Sequence, residues 1–282
     1  MAAKELNRLP LAIRAVTFDL WLTLIWDSKE LEEYRRLRRL VNFHRFAMKF
    51  AKDNGNGTKD FNFNRVRLAL EELEVRIKGL YDRGLDVHPD DRGRMLFDIL
   101  RIRLPRKNAQ HIYERAGEIL SNSGYRTRFP NVNPEAKPTL RALKEENPEV
   151  KIGLVSNAAR SAATYRRILR SYGISEYFDS LTISCEVGFL KPRKEIFDAA
   201  LHSLRVKPQD ALHVGDLFRA DIVGAASLGM NAALYTGLWH KYAHYMIPGE
   251  HIPNDFKPPS SSTIITEISS LKDTVELARK LR

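Results

Sequence analysis

Apolar and polar positions follow different periods in different parts of this chain, and the changes of period divide it into three stretches. Near the start, Ala12-Ile13-Arg14-Ala15-Val16-Thr17-Phe18 is a short apolar, β-branched run that ends at Asp19. Such a run predicts a buried strand with a carboxylate at its C-terminal tip. From about Asp27 to Phe129 charged sequence carries apolar residues at helical spacing: Leu31, Tyr34, Leu37, Leu40 and Val41, then Val66, Leu70, Leu73 and Ile77. That spacing predicts a helical insert. Asp53-Asn54-Gly55-Asn56-Gly57 reads as a turn between two of its helices, and Pro130 and Pro134 bracket the next change of texture.

Beyond Pro134 helical and strand patterns alternate. A helix is predicted through Ala136 to Glu146, then the strand Lys151 to Ser156 and a helix through Ala162 to Tyr172. Leu181-Thr182-Ile183, a helix through Glu195 to Leu204, Ala211 to Val214, a helix around Asp221 to Leu228, and Ala232 to Tyr235 follow. This alternation predicts a parallel sheet with helices on both faces, whose ligands gather beyond the carboxyl ends of the strands. The stretch from His240 to Ser262, rich in Pro, Ser, Tyr and His, reads as surface loop, and a last helix is predicted from Ser270, with Asp273 placed as in a capping box.

Composition narrows the setting. With 43% hydrophobic and 29% charged residues in a chain of 282, there is enough length for a large core, and no apolar run reaches the roughly 20 residues of a membrane span. Charges in the opening MAAKELNRLP stand where a signal peptide places its apolar stretch, so a cytoplasmic, non-membrane protein is expected. The single Cys185 fits a reducing compartment and reads as a small apolar residue beside a strand. A formal net charge of +11 admits a nucleic acid, an anionic surface or an acidic small molecule as partner.

Candidate chemistry sits at the predicted strand tips: Asp19 with Thr23, Ser156-Asn157, and Gly215-Asp216 with Asp221, while Lys191-Pro192 lies on the loop after the third predicted strand, Leu181-Thr182-Ile183. A carboxylate nucleophile, a hydroxyl, a lysine and acidic metal ligands are what phosphoryl transfer to an enzyme carboxylate requires. Taken as an ordered set, Phe18 to Leu24, Val155-Ser156-Asn157, Lys191-Pro192 and Val214-Gly215-Asp216 with Asp221 resemble the four motifs of the haloacid dehalogenase-like hydrolase superfamily. The insert falls where that family places a mobile cap. The resemblance implies an α/β fold, a doubly wound, Rossmann-like parallel-sheet core over 1–26 and 130–282, with a helical cap over 27–129. It also implies that Asp19 is the nucleophile, and that Mg²⁺ is held by Asp19, the backbone carbonyl of Trp21, Asp216 and Asp221, the last supporting from beside the ion. Thr23, Ser156, Asn157 and Lys191 would hold the transferred group, Lys191 also offsetting charge at the nucleophile.

One position departs from the family's phosphatases, which carry a second aspartate two residues after the nucleophile where this chain has Trp21. That carboxylate protonates the leaving oxygen, a role an indole cannot fill, and Asp27 is the nearest acid that could replace it. Dehalogenases of the same superfamily carry an aromatic residue there, which keeps their reaction as an alternative to a Mg²⁺-dependent phosphatase of small phosphorylated metabolites. A binding protein with a basic cap is the alternative of a different class, although a nucleic-acid partner is not favoured, and no motif sets an oligomeric state.

The remaining candidates have ordinary readings. Trp21 and Trp26 are either pocket walls or packing beneath the cap. His213, inside an apolar strand, reads as a satisfied core histidine. His240 and His244 have the spacing of two ligands on a helix but lack a neighbouring glutamate. Arg35, Arg36, Arg38 and Arg39 read as a solvated face laced to the preceding glutamates, or as a basic rim drawing in anions.

Overall fold

The structure, a computed structural model, describes residues 13–53, 61–104, 106–122, 129–239 and 251–281. Its strands in chain order are β1 (Ala15–Phe18), β2 (Ile25–Trp26), β3 (Asn131–Val132), β4 (Lys151–Ser156), β5 (Ser180–Ile183), β6 (Ala211–Gly215), β7 (Asn231–Tyr235) and β8 (Ile265–Ile268). The helices are α1 (Lys29–Asp53), α2 (Phe63–Tyr81), α3 (Pro89–Ile99), α4 (Ala109–Asn122), α5 (Ala136–Glu146), α6 (Ala162–Ser171), α7 (Ser184–Val187), α8 (Lys194–Leu204), α9 (Gly224–Ala226) and α10 (Asp273–Lys280).

Six strands form one sheet in the order β5-β4-β1-β6-β7-β8, every neighbouring pair parallel. The chain works outward from β1 to β5 on one side and returns to β6 to work outward on the other, so the connections diverge between β1 and β6. That divergence opens the crevice in which sheets of this kind bind ligands. Both faces are covered. Val16, Phe18, Ile152 and Leu154 pack with α5, α6 and α10, whereas Ala15, Val155, Ala211 and Leu234 pack with α8 and α9. Burial on both faces is why these strands read as unbroken apolar runs rather than as alternation.

The predicted helix and strand at 136–146 and 151–156 coincide with α5 and β4. Elsewhere the structure differs. The first strand begins at Ala15, not Ala12. The helix around Asp221 is a wide π-turn over Phe218–Val223 followed by the short α9. Its widening brings Asp221 Oδ2 back to accept from Leu217 N at 3.0 Å. The last helix begins at Asp273, although Ser270 N does donate to Asp273 Oδ2 at 3.3 Å. β8, unforeseen, is an edge strand with only its last residue buried. The turn cluster beyond Asp53 and the pair His240 and His244 lie outside the described residues.

Between β2 and β3 the four long helices enclose a core of their own, in which Phe43, Phe50, Phe61, Leu96 and Phe97 are central. β2 and β3 pair antiparallel, Ile25 with Val132 and Trp26 with Asn131, and carry the chain into and out of this insert side by side. Arg35, expected on a solvated face, is buried and paired with the buried Asp27, and Arg39 reaches Glu74 of α2. No helix among the described residues is long and apolar enough to cross a membrane.

α3 and α4 touch through backbone. A Cβ on Gly117 would stand 2.2 Å from the Pro89 carbonyl oxygen, and one on Gly93 would stand 2.3 Å from that of Tyr113. Gly117→Ala is therefore expected to destabilise the protein by about 1–3 kcal/mol in chemical denaturation. Gly79→Ala, with nothing within 4 Å of the added carbon, should be neutral or slightly stabilising. Cys185 is buried directly after β5, and burial together with the Asp86 charge pushes its thiol up to about 12. A maleimide at pH 8 should leave the native protein unlabelled and react once it is unfolded.

Candidate active site

Asp19 is the residue after β1, and its N–H donates to the Val214 carbonyl at 2.8 Å, which keeps it in register with β6 until the chain turns away. The turn is tight: Leu24 N and Ile25 N both donate to Leu20 O, at 2.9 and 3.0 Å. Leu22 takes a left-handed conformation, φ 61°, which costs a residue with a Cβ roughly 1–2 kcal/mol. The turn buries Thr23 and leaves Trp21 half-buried. It is pinned from behind by Asn133, whose Nδ2 donates to Thr23 O and to Tyr235 Oη, each at 2.9 Å.

Lys191 reaches the Asp19 carboxylate from the loop before α8. Its Nζ donates to Asp19 Oδ1 and, at 2.5 Å, to Asp221 Oδ1. All three side chains are buried. Asn157, expected at the transferred group, spends its amide on the lysine's backbone: Lys191 N donates to its Oδ1 at 2.7 Å and its Nδ2 donates to Lys191 O at 3.1 Å. The loops after β4 and β5 are thereby joined at the lysine.

Asp221 has its oxygens taken by Lys191, by Leu217 N and by His213, whose Nε2 lies 3.0 Å from Oδ1. It can approach only because residue 215 is glycine, since a Cβ there would stand 2.2 Å from its Cγ. A carboxylate can only accept, so His213 carries its proton on Nε2, and Nδ1 accepts from Thr17 Oγ1 at 2.9 Å. Burial outweighs the Asp221 charge and holds His213 below its ordinary pKa, so the ring is a neutral strut. It is a satisfied core histidine, as expected, and also a support of the site, which its apolar sequence context did not signal.

The charges settle one another. Burial raises Asp19, Lys191 lowers it and the Asp221 charge raises it, with a result of about 6. Burial also works against Asp221 and Lys191, yet Lys191 and His213 hold Asp221 well below the usual carboxylate range, and the two aspartates hold Lys191 above the usual lysine range.

Asp216, two residues past Val214, is buried at the neighbouring strand end. Its backbone carbonyl accepts from Trp239 Nε1 at 3.2 Å, a contact absent from the sequence reading because Trp239 lies in the loop after β7. Thr23 Oγ1 and Ser156 Oγ are buried without a hydrogen-bond partner among the described residues. A hydroxyl buried in that way costs about 1–3 kcal/mol, which an anion bound at these strand ends would recover. Outside them a cleft of about 610 Å³ opens toward the insert, lined by Trp21, Leu22, Asp27, Arg36, Arg39 and Arg160 among others. Both tryptophans near the nucleophile also pack against the core.

Among the described residues no three His, Cys, Asp or Glu side chains cluster as a metal site. Asp221, expected among the ligands, has its oxygens taken within the protein, which leaves the buried carboxylates of Asp19 and Asp216 at the divergent strand ends as the groups that could hold an ion. Two carboxylates, with the remaining positions left to water and phosphate oxygens, suit Mg²⁺ rather than a softer ion. A cation there would also offset the burial that raises Asp19.

The sequence pattern of the haloacid dehalogenase-like hydrolases matches residues 13–229. The chain is 29% identical over 265 residues to the glyceraldehyde 3-phosphate phosphatase of Pyrococcus furiosus, covering 94% of this chain and 93% of that protein. It is 33% identical over 232 residues to the enzyme of that name from Pyrococcus abyssi, covering 82% of each. In fold it is similar to the 2-haloacid dehalogenase of Pseudomonas syringae pv. Tomato DC3000, with a TM-score of 0.59 at 21% identity over 96% of this chain and 100% of that one. With the family pattern spanning all four strand-end segments, the chain belongs to the haloacid dehalogenase-like hydrolases.

Proposed function

We propose that this hydrolase is a Mg²⁺-dependent phosphatase that acts on a small phosphorylated metabolite through an aspartyl-phosphate on Asp19. The observation that carries the reading is the buried Asp19–Lys191–Asp221 triad beyond β1 and β6, together with the partnerless hydroxyls of Thr23, in the turn after β1, and Ser156, the last residue of β4. The similar proteins named for glyceraldehyde 3-phosphate support a substrate of that size. The lone buried Cys185 suits a cytoplasmic setting.

In this reading an oxygen of Asp19 attacks phosphorus in line, the bond from phosphorus to the ester oxygen breaks, and water then cleaves the acyl phosphate to free phosphate and Asp19. Lys191 keeps Asp19 ionised and offsets charge on the transferred group, acting from a pre-set position held by Asp221 and Asn157. Thr23 and Ser156 donate hydrogen bonds from their hydroxyls to phosphoryl oxygens. Asp19, Asp216 and the Trp21 carbonyl would hold Mg²⁺, with Asp221 supporting through Lys191. When bound, the ion neutralises phosphate charge and fixes its orientation.

Trp21 supplies no proton to the leaving oxygen, and Asp27, the nearest acid in the sequence, is paired with Arg35. Acyl and aryl phosphates, whose leaving groups depart unprotonated, should therefore turn over faster than alkyl phosphates, glyceraldehyde 3-phosphate among them. A second reading, displacement of halide at carbon, is favoured by Trp21 alone.

Wild-type protein is expected to release phosphate from acetyl phosphate and p-nitrophenyl phosphate only with Mg²⁺, and Asp19→Asn should lower turnover by about 10³-fold or more. Halide release from a 2-haloacid that survives a chelator, with no phosphate released, would establish the second reading instead. Trp21→Asp should raise turnover of an alkyl phosphate relative to an aryl one by up to about 10²-fold. An unchanged ratio in the folded variant would remove the account given for Trp21.

A further inference from the structure

The insert touches the core at a place other than its β2–β3 entrance. Between α2 and α3, Leu85 forms an antiparallel bridge with Phe189. Asp86 N donates to Gly188 O and Leu190 N donates to Gly84 O, both at 3.0 Å. Gly84, at φ +70°, leaves room for the Arg193 side chain, whose Cδ would stand 2.6 Å from a Cβ at that position. The core residues of this bridge, 188–190, immediately precede Lys191.

The side chain of Asp86 extends the contact to the other loop that holds the lysine. Its carboxylate is fully buried and accepts from Ser184 Oγ at 2.5 Å, Arg92 Nη2 at 2.6 Å and Val87 N at 2.7 Å. The Ser184 hydroxyl, having given its proton to Asp86, accepts from Ala158 N at 2.8 Å. Ala158 follows Asn157, the residue whose amide brackets the Lys191 peptide. One carboxylate of the insert is thus linked through a single serine to the loop after β4, while its backbone neighbours pair with the loop after β5.

We propose that Asp86 is a positioning residue for Lys191: it acts through Ser184 and the Leu85–Phe189 bridge to set the two loops that hold the lysine against Asp19. The insert's seating on the core and the placement of the lysine are then one event. This inference rests on the phosphatase reading for its kinetic consequence but not for its structural one. A merely structural Asp86 would serve only Arg92 and the turn between α2 and α3, and Ser184 would be irrelevant to it.

The test compares Asp86→Ala, Asp86→Asn and Ser184→Ala with wild type, using p-nitrophenyl phosphate turnover with Mg²⁺ and amide hydrogen exchange at Leu190 and Ala158. Asp86→Ala and Ser184→Ala are each expected to lower kcat about tenfold or more, as small misplacements of a catalytic group do, with KM changed less than about twofold. The double variant should be no worse than the worse single. Asn can still donate to Ser184 Oγ and accept from Arg92, so Asp86→Asn should recover most of the loss. Exchange at Leu190 should quicken about tenfold in Asp86→Ala. Folded single variants with unchanged kcat, or losses that simply add in the double variant, would overturn the proposal. If wild type releases no phosphate, the phosphatase reading fails by itself. The positioning role is then decided by exchange alone, unchanged protection at Leu190 in Asp86→Ala refuting it.

Discussion

An ionised carboxylate cannot be kept out of water without a partner, and the site is organised around that constraint. Asp19 is buried, and burial alone favours its protonated form. Lys191 answers this need and creates another, because a buried ammonium between two aspartates must be held where neither can drift away. Asp221 supplies the second contact, His213 and Leu217 N hold Asp221, and Asn157 grips the lysine's own peptide. Each support carries its own requirement: glycine at 215 so that Asp221 can approach, and a hydroxyl at Thr17 to take up the free nitrogen of His213.

Strand order explains why these supports can meet. β1 and β6 lie side by side at the centre of the sheet, so groups at their ends are brought together by backbone pairing rather than by flexible loops. Sites built on strand ends keep their geometry because the ladder below them does not move. The insert, with its own apolar core, supplies walls to the cleft while Asp19, Lys191 and Asp221 all come from the sheet and its loops.

Much of this was legible before any coordinates, for a physical reason. Strands buried on both faces must be apolar throughout, so their polar tips stand out, and Asp19, Ser156 and Asp216 were marked by their position as much as by their type. The parts that stayed hidden lack such contrast. β8 is a half-exposed edge strand after a Ser- and Pro-rich stretch, without a pattern stronger than that of a loop. Arg35 stands among four arginines, and periodicity alone does not say which of them turns inward to meet Asp27. His213 looked like core because it is core, and its support of Asp221 relies on Thr17, 196 residues away, to take up its other nitrogen. Asp86 is one acid in a turn, and its contact with Ser184 spans 98 residues. Pairings of that range are properties of topology, which local spacing does not encode.

The separation between Asp19 and Lys191 is 172 residues, and it has a consequence for how the protein comes into being. At a synthesis rate of about 5–20 residues per second, the carboxylate leaves the ribosome roughly ten to thirty seconds before the ammonium that will neutralise it. When the lysine emerges β4 is already made but β6 is not, so until then Asp19 ends an apolar segment that lacks one flanking strand and its counter-ion. A chain that stops short of Asp221 cannot form the buried pairing of Lys191 with both aspartates, which waits for β6 to close the centre of the sheet.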